Sequence, residues 1–196
     1  MRAIIFDCFG VLLGNIYRER LVTLEQTDPE LAQQVRDIHK ASDRGFLTRE
    51  ESLARMAQIL GMTPEALAEE EDRGEMRNEA LIAFAHTLKP RYKLAMLSNV
   101  SSRDRLDTRF LPGELDELFD VVVASGDEGI VKPEAGIYQL TAERLGVAPE
   151  ACLMVDDVRE FCDGAERVGM KTIQFITTEQ TIRDITLLID ADKGRE

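Results

Sequence analysis

The feature that most constrains the fold is a series of short apolar runs that alternate with helical segments after residue 87. The runs occupy 93–97, 120–124, 152–155 and 172–176, and the helical segments lie near 101–109, 134–146 and 159–169. A further apolar run, at residues 3–7, opens the chain. Strands that alternate with helices form a parallel sheet with helices on both faces. The sequence therefore predicts an α/β fold.

A long helical segment separates the first apolar run from the others. Between about residues 15 and 86 the apolar positions recur at spacings of three and four, as in Leu31, Val35 and Ile38. Thr48 and Glu51 have the spacing of a capping box, which starts a helix. We therefore expect an all-helical insertion in the α/β fold.

Composition excludes several classes of protein. Of 196 residues, 44% are hydrophobic and 31% are charged, as in ordinary globular proteins. The formal net charge of −13 argues against a nucleic-acid partner, because phosphate backbones are bound by clustered Lys and Arg. No apolar run is long enough to span a membrane, and three cysteines without metal-ligand spacing indicate reduced thiols. We expect a cytoplasmic protein without a membrane partner, whereas the oligomeric state stays open.

Polar residues follow the apolar runs, at the rim where open α/β sheets bind ligands. They are Asp7, Ser98, Asn99, Lys132, Asp156 and Asp157. A single Asp after a strand is usually a turn former or a helix cap. Together, however, these side chains supply a nucleophile, a cation site, a hydroxyl donor and a positive charge. Those are the groups that phosphoryl transfer requires.

The clustered carboxylates predict a Mg²⁺ site, since like charges repel one another unless a proton or a metal compensates them. Mg²⁺ prefers oxygen ligands and binds one or two carboxylates together with substrate phosphate. Lys132 provides a point charge for the phosphate and restrains Asp7. Ser98, together with backbone N–H groups at the start of the following helix, is placed to hold a phosphate oxygen.

Four segments in chain order resemble the motifs of the haloacid dehalogenase superfamily. They are Ile5–Leu12 (IFDCFGVL), Leu97-Ser98-Asn99, Val131-Lys132-Pro133-Glu134 and Val155-Asp156-Asp157. The resemblance covers nearly the whole chain. It implies a Rossmann-like core, formed by residues 1–14 and 88–196, with a helical C1 cap inserted at residues 15–87.

The resemblance also implies a chemistry. The chain would be a hydrolase that forms an aspartyl-phosphate at Asp7. Mg²⁺ would be held by Asp7, by the backbone carbonyl of Phe9 and by Asp157, with Asp156 as a nearby or water-mediated ligand. The substrate would be a small phosphorylated metabolite, with a sugar phosphate as one candidate, because the chain is similar to sugar-phosphate phosphatases of the family.

Phosphate and substrate contacts are predicted from the second and third motifs and from the cap. Ser98, Asn99 and Lys132 are the candidates in the motifs, with Lys132 also catalytic. Arg44 stands beside Gly45 in the cap turn that family members point toward the site. Arg18 and Arg20 are weaker candidates, since arginines on helix surfaces are mostly solvated.

Two positions depart from the family pattern. Phosphatases of the family usually carry a second Asp two residues after the nucleophile, as general acid and base, and here Phe9 stands in that place. General acid–base help is typically worth about a hundredfold to ten-thousandfold in rate. An Asn or Asp expected four residues after Asp157 is replaced by Phe161, with Asp163 as a possible substitute.

These departures leave two alternatives. Dehalogenases of the family also place an aromatic residue two positions after the nucleophile and need no metal, although the acidic pair Asp156-Asp157 argues against that activity. The other alternative is a binding or regulatory protein that retains the fold and has lost efficient catalysis.

Overall fold

The computed structural model describes residues 1–193, and its centre is a five-stranded parallel sheet. The strands are β1 (Ala3–Phe6), β2 (Lys93–Ser98), β3 (Val121–Ala124), β4 (Cys152–Asp156) and β5 (Lys171–Gln174). Their order across the sheet is β3-β2-β1-β4-β5. Ala3 pairs with Lys93 on one side of β1 and with Cys152 on the other. The predicted α/β fold with a parallel sheet is confirmed.

The strands are connected by helices, most of them short. The helices are α1 (Ile16–Thr27), α2 (Pro29–Asp43), α3 (Arg49–Leu60), α4 (Pro64–Gly74), α5 (Glu79–Leu88), α6 (Arg103–Asp107), α7 (Glu114–Leu118), α8 (Ser125–Glu128), α9 (Ala135–Leu145), α10 (Arg159–Arg167) and α11 (Thr178–Lys193). A 3₁₀ turn, Pro149–Ala151, precedes β4. No helix among residues 1–193 is long and apolar enough to cross a membrane.

The central strand β1 is buried on both faces of the sheet. Successive side chains of a strand point to opposite faces. Ile4 and Phe6 accordingly pack in one hydrophobic cluster, while Ala3 and Ile5 pack in a second. All four side chains are fully buried. This double burial explains why β1 is a continuous apolar run, and it fixes the position of the residue that follows, Asp7.

Helices α1 to α4 pack around a small cluster of their own. Val35, Met56 and Leu67 are its large buried members. The predicted capping box is present at the start of α3, where the Thr48 side chain accepts from the Glu51 N–H and the Glu51 side chain accepts from the Thr48 N–H. All four helices lie between β1 and β2 in the chain.

Helix α5 packs differently from the four helices before it. Its buried side chains Leu81, Ile82, Ala85 and Leu88 belong to the cluster on one face of the sheet. The sequence placed most of α5 in the cap range 15–87, because its helical spacing resembles that of the preceding helices. Its packing associates it with the sheet instead. The last three residues of the predicted core range 88–196 lie outside the described residues.

Candidate active site

The predicted acids meet at the carboxyl ends of the central strands. Asp7 follows β1 and is held there by its N–H, which donates to the Val155 carbonyl at 2.9 Å. Asp156 is the last residue of β4, and Asp157 follows it. One carboxylate oxygen from each of Asp7, Asp156 and Asp157 lies within 4.8 Å of the others. The parallel register of β1 and β4 therefore builds the acid cluster that the sequence predicted.

Lys132 is buried among these acids. Its Nζ lies 2.9 Å from Asp7 Oδ1 and 2.6 Å from Asp156 Oδ2. The Lys132 backbone is fixed by the Asn99 side chain, which accepts from its N–H at 2.8 Å and donates to its carbonyl at 3.1 Å. Asn99 thus positions the lysine, a contact that the sequence did not foresee.

The cluster is short of positive charge. Burial raises the pKa of Asp7 to about 8, and the charges of Asp156 and Asp157 add to the rise against the opposing effect of Lys132. Burial also raises the pKa of Asp157, with Asp156 as the next cause. Burial by itself lowers the pKa of Lys132, but Asp156 and Asp7 more than offset it, so the lysine stays charged. Lys132 and the half-exposed Arg18, which pairs with Asp157, therefore compensate three carboxyl groups only in part.

The donor set fits Mg²⁺. Asp157 Oδ1 is buried and has no hydrogen-bond partner among the described residues, while Oδ2 accepts from Arg18. The groups gathered here are carboxylate and carbonyl oxygens, which Mg²⁺ prefers. The Phe9 carbonyl, one of the predicted ligands, accepts from Asn15 Nδ2 at 3.3 Å. An unpartnered buried carboxylate oxygen beside two further acids is the feature that a hard cation would satisfy.

Gly10 allows the loop after Asp7 to approach Asp157. Its φ of +97° is a backbone conformation that residues with a side chain rarely adopt. A Cβ at this position would lie 2.6 Å from the carboxylate carbon of Asp157. The close approach of this loop to Asp157 therefore requires a residue without a side chain at position 10.

A cavity of about 310 Å³ opens beside the cluster. Asp7, Ser98, Asn99, Lys132 and Asp157 line it. The Ser98 hydroxyl is buried and has no hydrogen-bond partner in the described part of the chain. A buried hydroxyl without a partner is rare and is suited to a ligand oxygen.

Three other predicted side chains point elsewhere. Arg44 ends α2 and pairs with Glu134, and it is not among the residues that line the cavity. Arg20 pairs with Glu70 at 2.9 Å. Asp163 is partly exposed and pairs with Arg159 at 2.7 Å. Arg18 does reach the site, through its contact with Asp157.

Two aromatic rings occupy the positions where the family pattern led us to expect an Asp (position 9) and an Asn or Asp (position 161). The Arg105 guanidinium carbon lies 5.4 Å from the centre of the Phe9 ring. Lys132 Nζ lies 5.0 Å from the centre of the Phe161 ring. Both distances are those of cation–π contacts.

The sequence did not single out four charged residues that also line the cavity. They are Arg49, Glu71, Glu75 and Arg105. Arg105 lies in the first turn of α6, whose N-cap Ser102 accepts from the Arg105 N–H at 3.4 Å. The position of Ser102 shortly after β2 could have predicted the start of α6, with Arg105 in its first turn. The pairing of α6 with the distant α4 was not visible in the sequence.

Comparison with known proteins identifies the class of protein. Residues 1–169 match the haloacid dehalogenase-like hydrolase family, so the chain belongs to that family. The chain has the α/β fold that the sequence predicted, and phosphatases are among its relatives.

The relatives differ in how much of their length is matched. Phosphatase MT3486 of Mycobacterium tuberculosis (strain CDC 1551 / Oshkosh) is 35% identical over 49% of this chain. The match covers 46% of the length of that relative, which is less than half. Phosphorylated carbohydrates phosphatase of Thermotoga maritima is 27% identical over 97% of this chain and 91% of its own. (S)-2-haloacid dehalogenase 4A of Burkholderia cepacia is 24% identical over 89% of this chain and 82% of its own length.

Solved structures show the same fold. A predicted HAD-like family hydrolase from Porphyromonas gingivalis superposes with a TM-score of 0.75 at 26% identity, covering 96% of this chain and 98% of its own. The magnesium complex of the HAD family enzyme bt-2542 from Bacteroides thetaiotaomicron has a TM-score of 0.73 at 16% identity, covering 91% and 94%. Magnesium complexes thus occur among the structural neighbours of this chain.

Proposed function

We propose that this protein hydrolyses a small phosphoester in a Mg²⁺-dependent reaction through an aspartyl-phosphate at Asp7. The observation that carries the proposal is the buried contact of Asp7 with Lys132, at 2.9 Å, beside two further carboxylates and a cavity. Phosphoryl transfer needs little besides positioning and charge stabilisation, and these side chains supply both. The phosphatase names among the relatives support the same class of reaction.

The residues have distinct roles in this proposal. The Asp7 carboxylate attacks phosphorus, the ester oxygen leaves, and water then hydrolyses the acyl phosphate. Ser98 donates its free hydroxyl to a phosphate oxygen, and Lys132 stabilises negative charge on the phosphoryl group. Asp7, the Phe9 carbonyl and Asp157 would hold Mg²⁺, with Asp156 close by. The metal would supply charge neutralisation at the phosphate.

The leaving group must depart without help from an acid at position 9. Phe9 carries no proton, so an alcohol product takes its proton from water. Since general acid catalysis contributes typically about 10²–10⁴ in rate, esters with acidic leaving groups should react much faster than alkyl phosphates.

We further propose that the helical segment within residues 15–87 acts as the cap and limits the substrate to a small phosphorylated metabolite. Tyr17, Ser52 and Met56 of this segment line the cavity together with Asp7. A volume of about 310 Å³ is at the lower end for small-molecule sites. A sugar phosphate is the favoured candidate, as the relative named for phosphorylated carbohydrates suggests.

The test is phosphate release from p-nitrophenyl phosphate and a panel of sugar phosphates, in Mg²⁺ or in EDTA. Wild type should be active only with Mg²⁺, and Asp7→Asn should be inactive. Asp163→Asn is the matched control, because this acid is partly exposed and pairs with Arg159. Acid-quenched wild type should also carry label from ³²P-labelled acetyl phosphate, removable by hydroxylamine, as an acyl phosphate requires.

Dehalogenation is the second candidate function, and the aromatic Phe9 beside Asp7 favours it together with the dehalogenase relative. In that reaction Asp7 would attack carbon and expel halide, with no metal. The test is chloride release from 2-chloropropionate in EDTA. Halide release without phosphatase activity would overturn our proposal, and inactivity in both assays would favour the binding or regulatory alternative.

A further inference from the structure

A row of alternating charges runs along one wall of the cavity. Glu75 accepts from Arg105 Nη2 with both oxygens, each at 2.6 Å. Glu71 lies 3.5 Å from the same nitrogen and also pairs with Arg49. We call Arg49, Glu71, Glu75 and Arg105 the charged wall. It joins α3 and α4 of the insertion to α6 of the core.

Arg105 has unused hydrogen-bonding capacity. Its side chain is only 7% exposed, and its Nη1 is buried with no hydrogen-bond partner among residues 1–193. Leaving a buried donor unpaired is costly, so such a group in a ligand cavity calls for an acceptor. The same side chain lies over the ring of Phe9, which is two residues after Asp7 in the chain. We therefore expect a small leaving group, attached to a phosphoryl group at Asp7, to extend toward the charged wall.

The charge balance of the wall decides what kind of acceptor fits. Arg105 already faces Glu71 and Glu75, and Glu75 also accepts from Arg109. Arg109 in turn pairs with Asp72 at 2.5 Å. Together with Arg109 and Asp72, the charged wall thus has three guanidinium groups and three carboxylates. A second anionic group on the substrate would lie near Glu71 and Glu75, and no unpaired cation of the wall would offset their charge. Because like charges at short range repel, such a group should bind poorly.

We propose that Arg105 is a specificity-determining residue that donates from Nη1 to a neutral oxygen of the leaving group, while Glu71 and Glu75 exclude leaving groups with a second negative charge. The inference rests on the proposed phosphatase function and narrows its substrates. Phosphoesters of neutral hydroxylated or carbonyl compounds are accepted. Bisphosphates and phosphorylated carboxylic acids are rejected.

The experiment compares two substrates that differ in one group. Glycerol 3-phosphate carries a hydroxymethyl group where 3-phosphoglycerate carries a carboxylate. Phenyl phosphate, whose leaving group has no oxygen besides the ester, is the reference. The kcat/KM of wild type should be at least about tenfold higher for glycerol 3-phosphate than for 3-phosphoglycerate. Where turnover is slow, the same ratio is read from their inhibition constants against phenyl phosphate hydrolysis.

Two variants test the two parts of the inference. Glu75→Gln removes one carboxylate charge and keeps the shape of the side chain. The ratio of kcat/KM for glycerol 3-phosphate to that for 3-phosphoglycerate should therefore fall by about fivefold or more. Arg105→Lys keeps a charge near Glu75 but loses Nη1. It should lose about tenfold more kcat/KM on glycerol 3-phosphate than on phenyl phosphate. Glu128→Gln, which breaks the partly exposed pair with Arg144, is the matched control and should leave all ratios unchanged.

The outcomes separate this inference from the proposed function. Hydrolysis of phenyl phosphate with equal or better recognition of 3-phosphoglycerate would overturn the inference and leave the phosphatase function standing. A uniform loss in Arg105→Lys across all three compounds would overturn the role of Nη1. Failure to hydrolyse any phosphoester would overturn the function, and the inference with it.

Discussion

Replacing Lys132 by Met removes the positive charge that the buried acids share. The lysine side chain is fully buried, and its Nζ lies 2.6 Å from Asp156 Oδ2 and 2.9 Å from Asp7 Oδ1. Asp156 is also fully buried, and Asp7 nearly so. Methionine matches much of the volume of the lysine stem, so the change tests charge rather than packing.

The size of the effect follows from the burial of both partners. Removing one member of a buried ion pair typically costs about 3–5 kcal/mol, because the remaining charge is left uncompensated. We expect a loss in this range for Lys132→Met in EDTA at pH 7.5, out of a typical total of about 5–15 kcal/mol. Adding Asp156→Asn should restore at least about 1.5 kcal/mol, since contacting residues are energetically coupled.

The assay is urea unfolding followed by far-UV circular dichroism. Lys89→Met is the matched control, because Lys89 pairs with Asp120 at 3.2 Å on the surface. Exposed pairs contribute about 0–1 kcal/mol, so this variant should change stability little. If Lys132→Met cost no more than Lys89→Met, the view that Lys132 compensates the buried acids would be refuted.

Three further predictions concern Gly10, Asp7 and the three cysteines. Gly10→Ala should abolish Mg²⁺-induced thermal stabilisation, because its Cβ would meet the Asp157 carboxylate at 2.6 Å, whereas Gly113→Ala, which meets nothing within 4 Å, should retain it. In EDTA the melting temperature of wild type should fall as pH rises from about 5 to 8.5. Burial raises the pKa of Asp7 to about 8, so in this range the folded state holds a proton that the unfolded chain releases. Asp7→Asn should show a shallower fall, and equal slopes would contradict the raised pKa of Asp7. The three cysteines are buried and their thiol pKa values are raised, so dithionitrobenzoate should react slowly with the native protein and fully in urea; rapid labelling of one thiol would contradict this.

The sequence was sufficient for the sheet and the acid cluster because both depend on local patterns. Each apolar run forms a strand, and the residue after it falls on the ligand-binding rim by the geometry of parallel strands. Asp7 and Asp157 could therefore be placed together although 149 positions of chain lie between them. Burial on both faces of the sheet made β1 recognisable.

Contacts between the insertion and the core could not be derived in the same way. Arg44 and Arg105 look alike in the sequence, since each directly follows an Asp. The structure pairs Arg44 with Glu134 and brings Arg105 into the cavity against Glu75. Which of the two enters the cavity depends on how α2 and α4 pack against α6 and α9, and no local pattern encodes that packing. Asn99 shows the same limit, because its partner is the backbone of a residue 33 positions away.

The two aromatic departures from the family pattern are consistent with the charge of the site. An acid at position 161 would place a fourth carboxylate near Lys132, which already compensates three acids only in part. The Phe161 ring instead presents its negative face to the lysine without adding a titrating charge. At position 9 the ring lies against Arg105 and adds no carboxylate beside that guanidinium. The same substitution that removes the proton donor therefore supports the side chain that we propose recognises the leaving group, so selectivity and slow turnover on alkyl esters should have one structural origin.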